Sequence, residues 1–118
     1  AETVSRIHRL RLADGVPMAI EYAVVPARFL PDPDEVESSL YAVLIRRGFG
    51  PRRALQRLHA VLLNEEQAEL LELEAGAAAL YIERRSFLAG GEAVEFTCSY
   101  YRGDAYDFVV ELNIGGEG

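Results

Sequence analysis

Apolar and polar positions change their spacing several times along the chain, and the changes mark its elements. Residues 6–12 and 16–26 are apolar-rich runs separated by Ala13-Asp14-Gly15, and Asp-Gly in that place predicts a hairpin. Its register decides what it displays. A two-residue loop at Asp14-Gly15 sets Glu21 on the face opposite Arg9 and Arg11. A three-residue loop with Gly15 left-handed in a bulge puts Arg9, Arg11, Ala19 and Glu21 on one face. The pattern alone leaves both open.

Leu30-Pro31-Asp32-Pro33-Asp34 is a turn-rich connection, and a helix follows that ends near Gly48, after Arg46 and Arg47. Either Asp32 caps it with Pro33 in the first turn, or Ser38 caps a shorter helix from about Ser39. Leu40, Val43 and Leu44, with Tyr41 beside them, form its apolar stripe. Gly48-Phe49-Gly50-Pro51 breaks the chain. Residues 53–63 read as a strand with Leu55, Val61 and Leu63 alternating on one face. Asn64-Glu65-Glu66-Gln67 is a capping box opening a short helix through Leu73 that stops at Gly76. Residues 78–89 and 92–102 are two long strands joined at Gly90-Gly91, and residues 106–112 are a final strand. The sum is an α+β fold: a mainly antiparallel sheet of about six strands with about two helices. One face of such a sheet can stay open to solvent or to a ligand.

The strand at 92–102 carries the most chemistry. Val94, Phe96, Cys98 and Tyr100 alternate with Glu95, Thr97, Ser99 and Tyr101, so the two sets face opposite ways. The first set reads as core, with Cys98 an inert core thiol. The second is a wet surface or a polar ligand floor. A two-residue turn at Gly90-Gly91 brings Arg84 and Ser86 beside Thr97 and Glu95, with Arg84 in an ion pair or lining a pocket. Arg9 and Arg11, two apart on a strand, point the same way. Their guanidiniums repel unless a carboxylate such as Glu21, or a bound anion, lies between them.

Composition narrows the function. At 118 residues the chain is one domain, large enough for a core without metal or disulfide staples. The net charge of −7 is the wrong sign for gripping nucleic acid. All 12 basic residues are arginine, which removes lysine chemistry and suits bidentate anion recognition. Arg46, Arg47, Arg52, Arg53 and Arg57 form one basic cluster, read as solvated surface. No apolar run approaches the ~20 residues of a membrane helix, and the N-terminus lacks a signal-peptide core. The single cysteine, Cys98, excludes an internal disulfide, and a soluble cytoplasmic protein is expected. His8 and His59 have no partners at metal-ligand spacing, so neither a metal nor a cofactor is expected.

Three blocks, RLRLADGVPMAIEYAVVP, SLYAVLIRRGFG and GGEAVEFTCSYYRGDAYDF, resemble in this order the effector-binding (UTRA) domain of the HutC subfamily of GntR-type transcription regulators. Tyr-Arg-Gly-Asp-x-Tyr at residues 101–106 closes the match. The resemblance implies a chorismate-lyase-like fold, a small-molecule pocket on one sheet face, and a homodimer. It also implies DNA contact only through a winged-helix domain that this sequence does not contain. By motif it makes Arg9, Arg11, Glu21, Ser39, Tyr41, Glu95 and Tyr101 ligand-binding residues, and it requires the register that puts Arg9, Arg11 and Glu21 together. The implied effector is a sugar phosphate, a phosphonate or a carboxylate. In this reading the arginines hold the anion, Glu21 and Glu95 accept hydrogen bonds from the ligand, and Ser39 and Tyr101 orient it. The family's usual strand-and-helix section before the Arg-x-Arg strand is not recognisable here. A lyase of aromatic carboxylates on the same fold, and a ligand-free dimerisation module, are the alternatives.

Overall fold

The computed structural model describes residues 3–37 and 39–104. Five strands, β1 (Val4–Ala13), β2 (Val16–Pro26), β3 (Arg53–Leu62), β4 (Ala78–Phe87) and β5 (Ala93–Arg102), make one antiparallel sheet in the order β1-β2-β5-β4-β3. Two helices, α1 (Leu40–Arg46) and α2 (Glu65–Leu70), and a 3-10 turn at Pro33–Glu35 complete the described elements. The fold is α+β, as the pattern predicts. The sheet has five strands among the described residues, and the expected sixth, at 106–112, lies outside them.

The two helices lie on opposite faces of the sheet. Strand alternation sends Val25 and Ile20 of β2 opposite ways. Val25 packs with Val94, Phe29 and Leu30 and with Val43 and Leu44 of α1. Ile20 packs with Leu63, Leu71 and Ala79 and with Ala68 of α2. Of the two expected caps of the first helical region, Asp32 caps a separate 3-10 turn instead of α1, and the cap of α1 is Ser39, one residue after the expected Ser38. The Asp32 side chain accepts from the Asp34 N–H to cap the 3-10 turn, and Ser39 Oγ accepts from the Ala42 N–H to cap α1. Ser38, the other candidate cap, lies outside the described residues. The capping box at Asn64 and Gln67 is complete, but α2 ends at Leu70, short of Leu73. Glu72 there takes a left-handed φ of 59°, which turns the chain back so that Leu71 stays in the core.

β3 ends at Leu62, one residue earlier than expected, and cover along its Leu55–Val61 face is uneven. Leu55 is 56% exposed, and the buried leucine is Leu63, one residue past the strand. β3 is an edge strand, and α2 covers only its far end, near Val61. The inward and outward faces of β5 also differ from expectation. Glu95, Thr97 and Ser99 are buried, while Phe96, Cys98 and Tyr100 are only partly covered. The polar row lies on the α1 side, and within it Thr97 donates to Glu95. The opposite face has helix cover only at the α2 end.

The β1–β2 hairpin combines the two registers the sequence leaves open. Ala13 pairs with Val16 across a two-residue turn in which Asp14 and Gly15 both have positive φ, 52° and 78°. Register then shifts by one residue at Met18, so that Leu12 faces Pro17 but Arg11 faces Ala19 and Arg9 faces Glu21. This bulge supplies the extra residue that a three-residue loop would have supplied. A second shift, at Val94 in the β4–β5 hairpin, keeps Ser86 opposite Glu95 and Arg84 opposite Thr97. Those are the predicted pairs.

Candidate functional site

On the α1 face, Arg9 and Arg11 of β1, Glu21 and Ala23 of β2, Thr97 and Tyr101 of β5 and Arg84 of β4 line a hollow of about 220 Å³. Ile7, and Ser39, Leu40 and Tyr41 at the start of α1, close its side. Six of the seven residues implied by the resemblance therefore meet at one place: Arg9, Arg11, Glu21, Ser39, Tyr41 and Tyr101. A smaller hollow of about 160 Å³ continues across the floor past Glu21, Arg84, Thr97 and Tyr101 to Gln56, Ile82 and Ser99.

Glu21 sits between the two β1 arginines, as the hairpin register allows. Arg9 Nη2 is 3.3 Å from one carboxylate oxygen and Arg11 Nη1 is 3.2 Å from the other. Arg9 keeps a buried Nη1 with no hydrogen-bond partner. An unpartnered guanidinium nitrogen away from solvent is costly unless an acceptor reaches it. Three guanidiniums, Arg9, Arg11 and Arg84, thus line the hollow against one lining carboxylate, on a chain whose net charge is −7.

Glu95 differs from the expectation. Its side chain has no exposed surface, and it lines neither hollow. It accepts hydrogen bonds from Ser86 Oγ at 2.6 Å, from Thr97 Oγ1, and from Arg84 Nη2 at 3.2 Å. Burial alone would lower the pKa of Arg84. The adjoining Glu95 carboxylate outweighs it, with Tyr41 and Glu21 adding to the effect, and the guanidinium is held more firmly charged than usual.

Arg84 is the residue that motif carry-over left out, although the predicted pairing with Thr97 marked its side of the sheet. Its guanidinium carbon stands 4.8 Å from the centre of the Tyr41 ring, and the Tyr41 and Ser86 hydroxyls share a hydrogen bond at 3.3 Å. Tyr41 therefore ties α1 to the same network that holds Arg84. Ser39 lines the hollow while its Oγ caps the helix, so its hydroxyl proton remains available.

On the opposite face a charged hollow of about 290 Å³, lined by Leu55, Gln56, Arg57, Glu83 and Arg85, lies over β3 and β4 and does not reach the middle of the sheet. Instead His8, Tyr22, Tyr100, Tyr81 and His59 form a continuous row of rings across all five strands, with neighbouring centroids 4.4, 6.4, 5.1 and 5.0 Å apart. Cys98 belongs to this partly covered face and accepts a hydrogen bond from Tyr81 Oη at 3.1 Å, so it is not a core thiol.

Comparison with known proteins agrees with the sequence resemblance. The UTRA domain family matches residues 1–107. The chain is 37% identical over 110 residues to the HTH-type transcriptional repressor NagR of Bacillus subtilis, covering 91% of this chain and 45% of that one. The crystal structure of PhnF from Mycobacterium smegmatis superposes with a TM-score of 0.87 at 29% identity, over 94% of this chain and 51% of that one. A putative transcriptional regulator from Streptomyces coelicolor gives 0.83 at 35% identity, over 92% and 77%. The chain spans about half the length of the curated relatives it matches. With a family match across nearly its whole length and a fold shared with solved regulators, the chain belongs to the UTRA domain family of GntR-type transcription regulators.

Proposed function

We propose that this chain is the effector-binding part of a bacterial transcription regulator and takes a polar, anionic small molecule in the α1-side hollow. The observation that carries this is the convergence of Arg9, Arg11 and Arg84 over one concavity, with a buried Arg9 nitrogen left without an acceptor. A phosphate, phosphonate or carboxylate supplies that acceptor and neutralises the excess of guanidinium charge. Glu21 orients the two β1 arginines and accepts from ligand hydroxyl or amine groups, while Ser39 and Tyr101 fix the ligand's orientation. Glu95 acts beneath the floor by holding Arg84. Because Tyr41 joins α1 to that network, ligand on Arg84 changes the balance that seats α1 on the sheet. An effector shifts such an equilibrium only through its different affinity for the two arrangements.

The same reading makes the chain half of a homodimer in the cytoplasm, with DNA bound by the helix-turn-helix portion of the full-length regulator. What supports the dimer is the ring-bearing sheet face. Leu10, Tyr22 and Leu55 are exposed there. One end of that face carries the exposed Arg6 and Arg85, and the other carries Glu65, Glu66 and Glu69 of α2. A second copy related by a two-fold axis across the strands meets basic end with acidic end.

A thermal-shift screen over phosphorylated sugars, phosphonates and carboxylates, repeated on Arg9→Ala, tests the reading. A ligand at ~100 times its dissociation constant adds ~2.7 kcal/mol of stability, and the Arg9 variant loses most of it. No shift with any of the three classes supports a bare dimerisation module instead. Release of pyruvate from chorismate supports the lyase alternative.

A further inference from the structure

The signature Tyr101-Arg102-Gly103-Asp104 contributes one side chain, Tyr101, to the hollow, and the other three residues have a different task. The Asp14-Gly15 turn dictates that Ala13 faces Val16 and Leu12 faces Pro17. Continued without interruption, that ladder pairs Arg11 with Met18 and Arg9 with Ile20. β2 cannot turn over to follow it, because Ile20 and Val25 are fixed in cores on opposite faces. Arg9 and Arg11 would then leave the hollow. The extra residue at Met18 prevents this, and its position matters. Were it placed beyond Ala19, Arg11 would face Met18 and turn to the other face.

Two features hold the bulge where it is. Pro17 has no N–H to give the ladder, and proline within a sheet is confined to edges, strand starts and bulges. Its carbonyl is taken by Arg102 Nη1 at 3.1 Å, a contact between residues 85 apart in sequence. Arg102 is itself fixed by a two-point pair with Asp104, Nε to Oδ1 at 2.8 Å and Nη2 to Oδ2 at 3.1 Å. Between them, Gly103 donates its N–H to the Ala78 carbonyl at 3.0 Å, and a Cβ added there would lie 2.7 Å from that oxygen. A glycine is needed for this close approach to β4.

We infer that Arg102 is a positioning residue: by holding the Pro17 carbonyl it pins the bulge at Met18, and so keeps Arg11 together with Arg9 and Glu21 on the hollow side. The functional half of this inference rests on reading the hollow as an anion site. The register half does not.

Cross-strand proton contacts in the isotope-labelled chain report the register directly. The wild type shows Arg11 against Ala19. Arg102→Gln shows Arg11 against Met18 in a measurable fraction of molecules, and Asp104→Asn, which only loosens Arg102, shows a smaller fraction. Deleting Met18 makes the Arg11–Ala19 pairing follow from the turn itself. The double variant Arg102→Gln with Met18 deleted therefore recovers the wild-type contact, even if Arg102→Gln alone fails to fold. An undiminished Arg11–Ala19 contact as the sole register in folded Arg102→Gln overturns the inference. So does a double variant that remains unfolded or lacks that contact.

Inorganic phosphate is the ligand probe. Its thermal stabilisation falls in Arg102→Gln and returns in the double variant. A wild type that phosphate does not stabilise counts against the anion site alone, and the proton contacts still decide the register.

Discussion

Replacing Glu95 by alanine separates the roles of the two carboxylates most sharply. Its side chain is fully covered and accepts from Ser86, Thr97 and Arg84. Truncation leaves Thr97 Oγ1 buried without its acceptor, a loss of about 1–2 kcal/mol. Ser86 still has the Tyr41 hydroxyl at 3.3 Å and loses less. Breaking a fully buried ion pair by removing one partner costs about 3–5 kcal/mol. The Arg84 side chain is 30% exposed, however, so water recovers part of this, and about 1–2 kcal/mol is the appropriate share. The whole effect is about 3 kcal/mol, a large part of the 5–15 kcal/mol that holds a typical domain together. In urea, with a slope of ~1.5 kcal/mol/M, the unfolding midpoint falls by about 2 M. Glu95→Gln keeps the volume and one acceptor and loses about half as much. Glu21→Ala, whose partners Arg9 and Arg11 are 20% and 49% exposed, loses about 1 kcal/mol and its effect appears in ligand binding. A Glu95→Ala midpoint within ~0.3 M of wild type refutes the reasoning, and so does Glu21→Ala proving the more destabilising of the two.

The Tyr81 phenol donates to Cys98 Sγ, and this bond, with burial and the nearby Glu83, holds its pKa well above the usual 10. The neutral phenol thus stabilises the fold fully below pH 10, and the contribution fades as pH rises through the higher native value. Urea midpoints measured at pH 9 and pH 11 therefore fall less in Tyr81→Phe than in wild type; an equal fall contradicts the hydrogen bond's role. Tyr22→Glu puts a charge in the exposed ring row beside α2, and sedimentation should show the two-chain species replaced by one chain. A wild type that is monomeric at tens of micromolar, or a variant that stays dimeric, removes this face as the interface.

How far the sequence discloses the fold depends on the kind of signal each element carries. The Asn64–Gln67 capping box and the Asp-Gly turn are local chemistry and appear where the pattern places them. The turn at Gly90-Gly91 instead closes over three residues, with Leu88 facing Glu92, and the shift at Val94 restores the expected pairs. Which face of β5 is covered is not local. Alternation separates Glu95, Thr97 and Ser99 from Phe96, Cys98 and Tyr100, but only the position of α1 and the donors on β4 decide that the polar set is the buried one. Leu55 is exposed for the same kind of reason, since an edge strand under a short helix has more apolar positions than cover. In the site, the residues on one hairpin or one motif were readable. Glu95 reads as a ligand contact in the sequence because the donors that saturate its carboxylate, on Arg84, Ser86 and Thr97, come together only in the fold. The bulge at Met18 did leave a trace, a proline just inside a strand that has neighbours on both sides.

The central claim is that three guanidiniums from two strands, β1 and β4, converge to bind one anion. Calorimetric titration of the strongest binder from the screen into wild type, Arg9→Ala and Arg84→Ala tests it most directly. A charged hydrogen bond contributes about 1.5–3 kcal/mol, so each variant should bind about 10- to 100-fold more weakly while keeping its fold. Binding at wild-type affinity in folded Arg9→Ala and Arg84→Ala would contradict the claim.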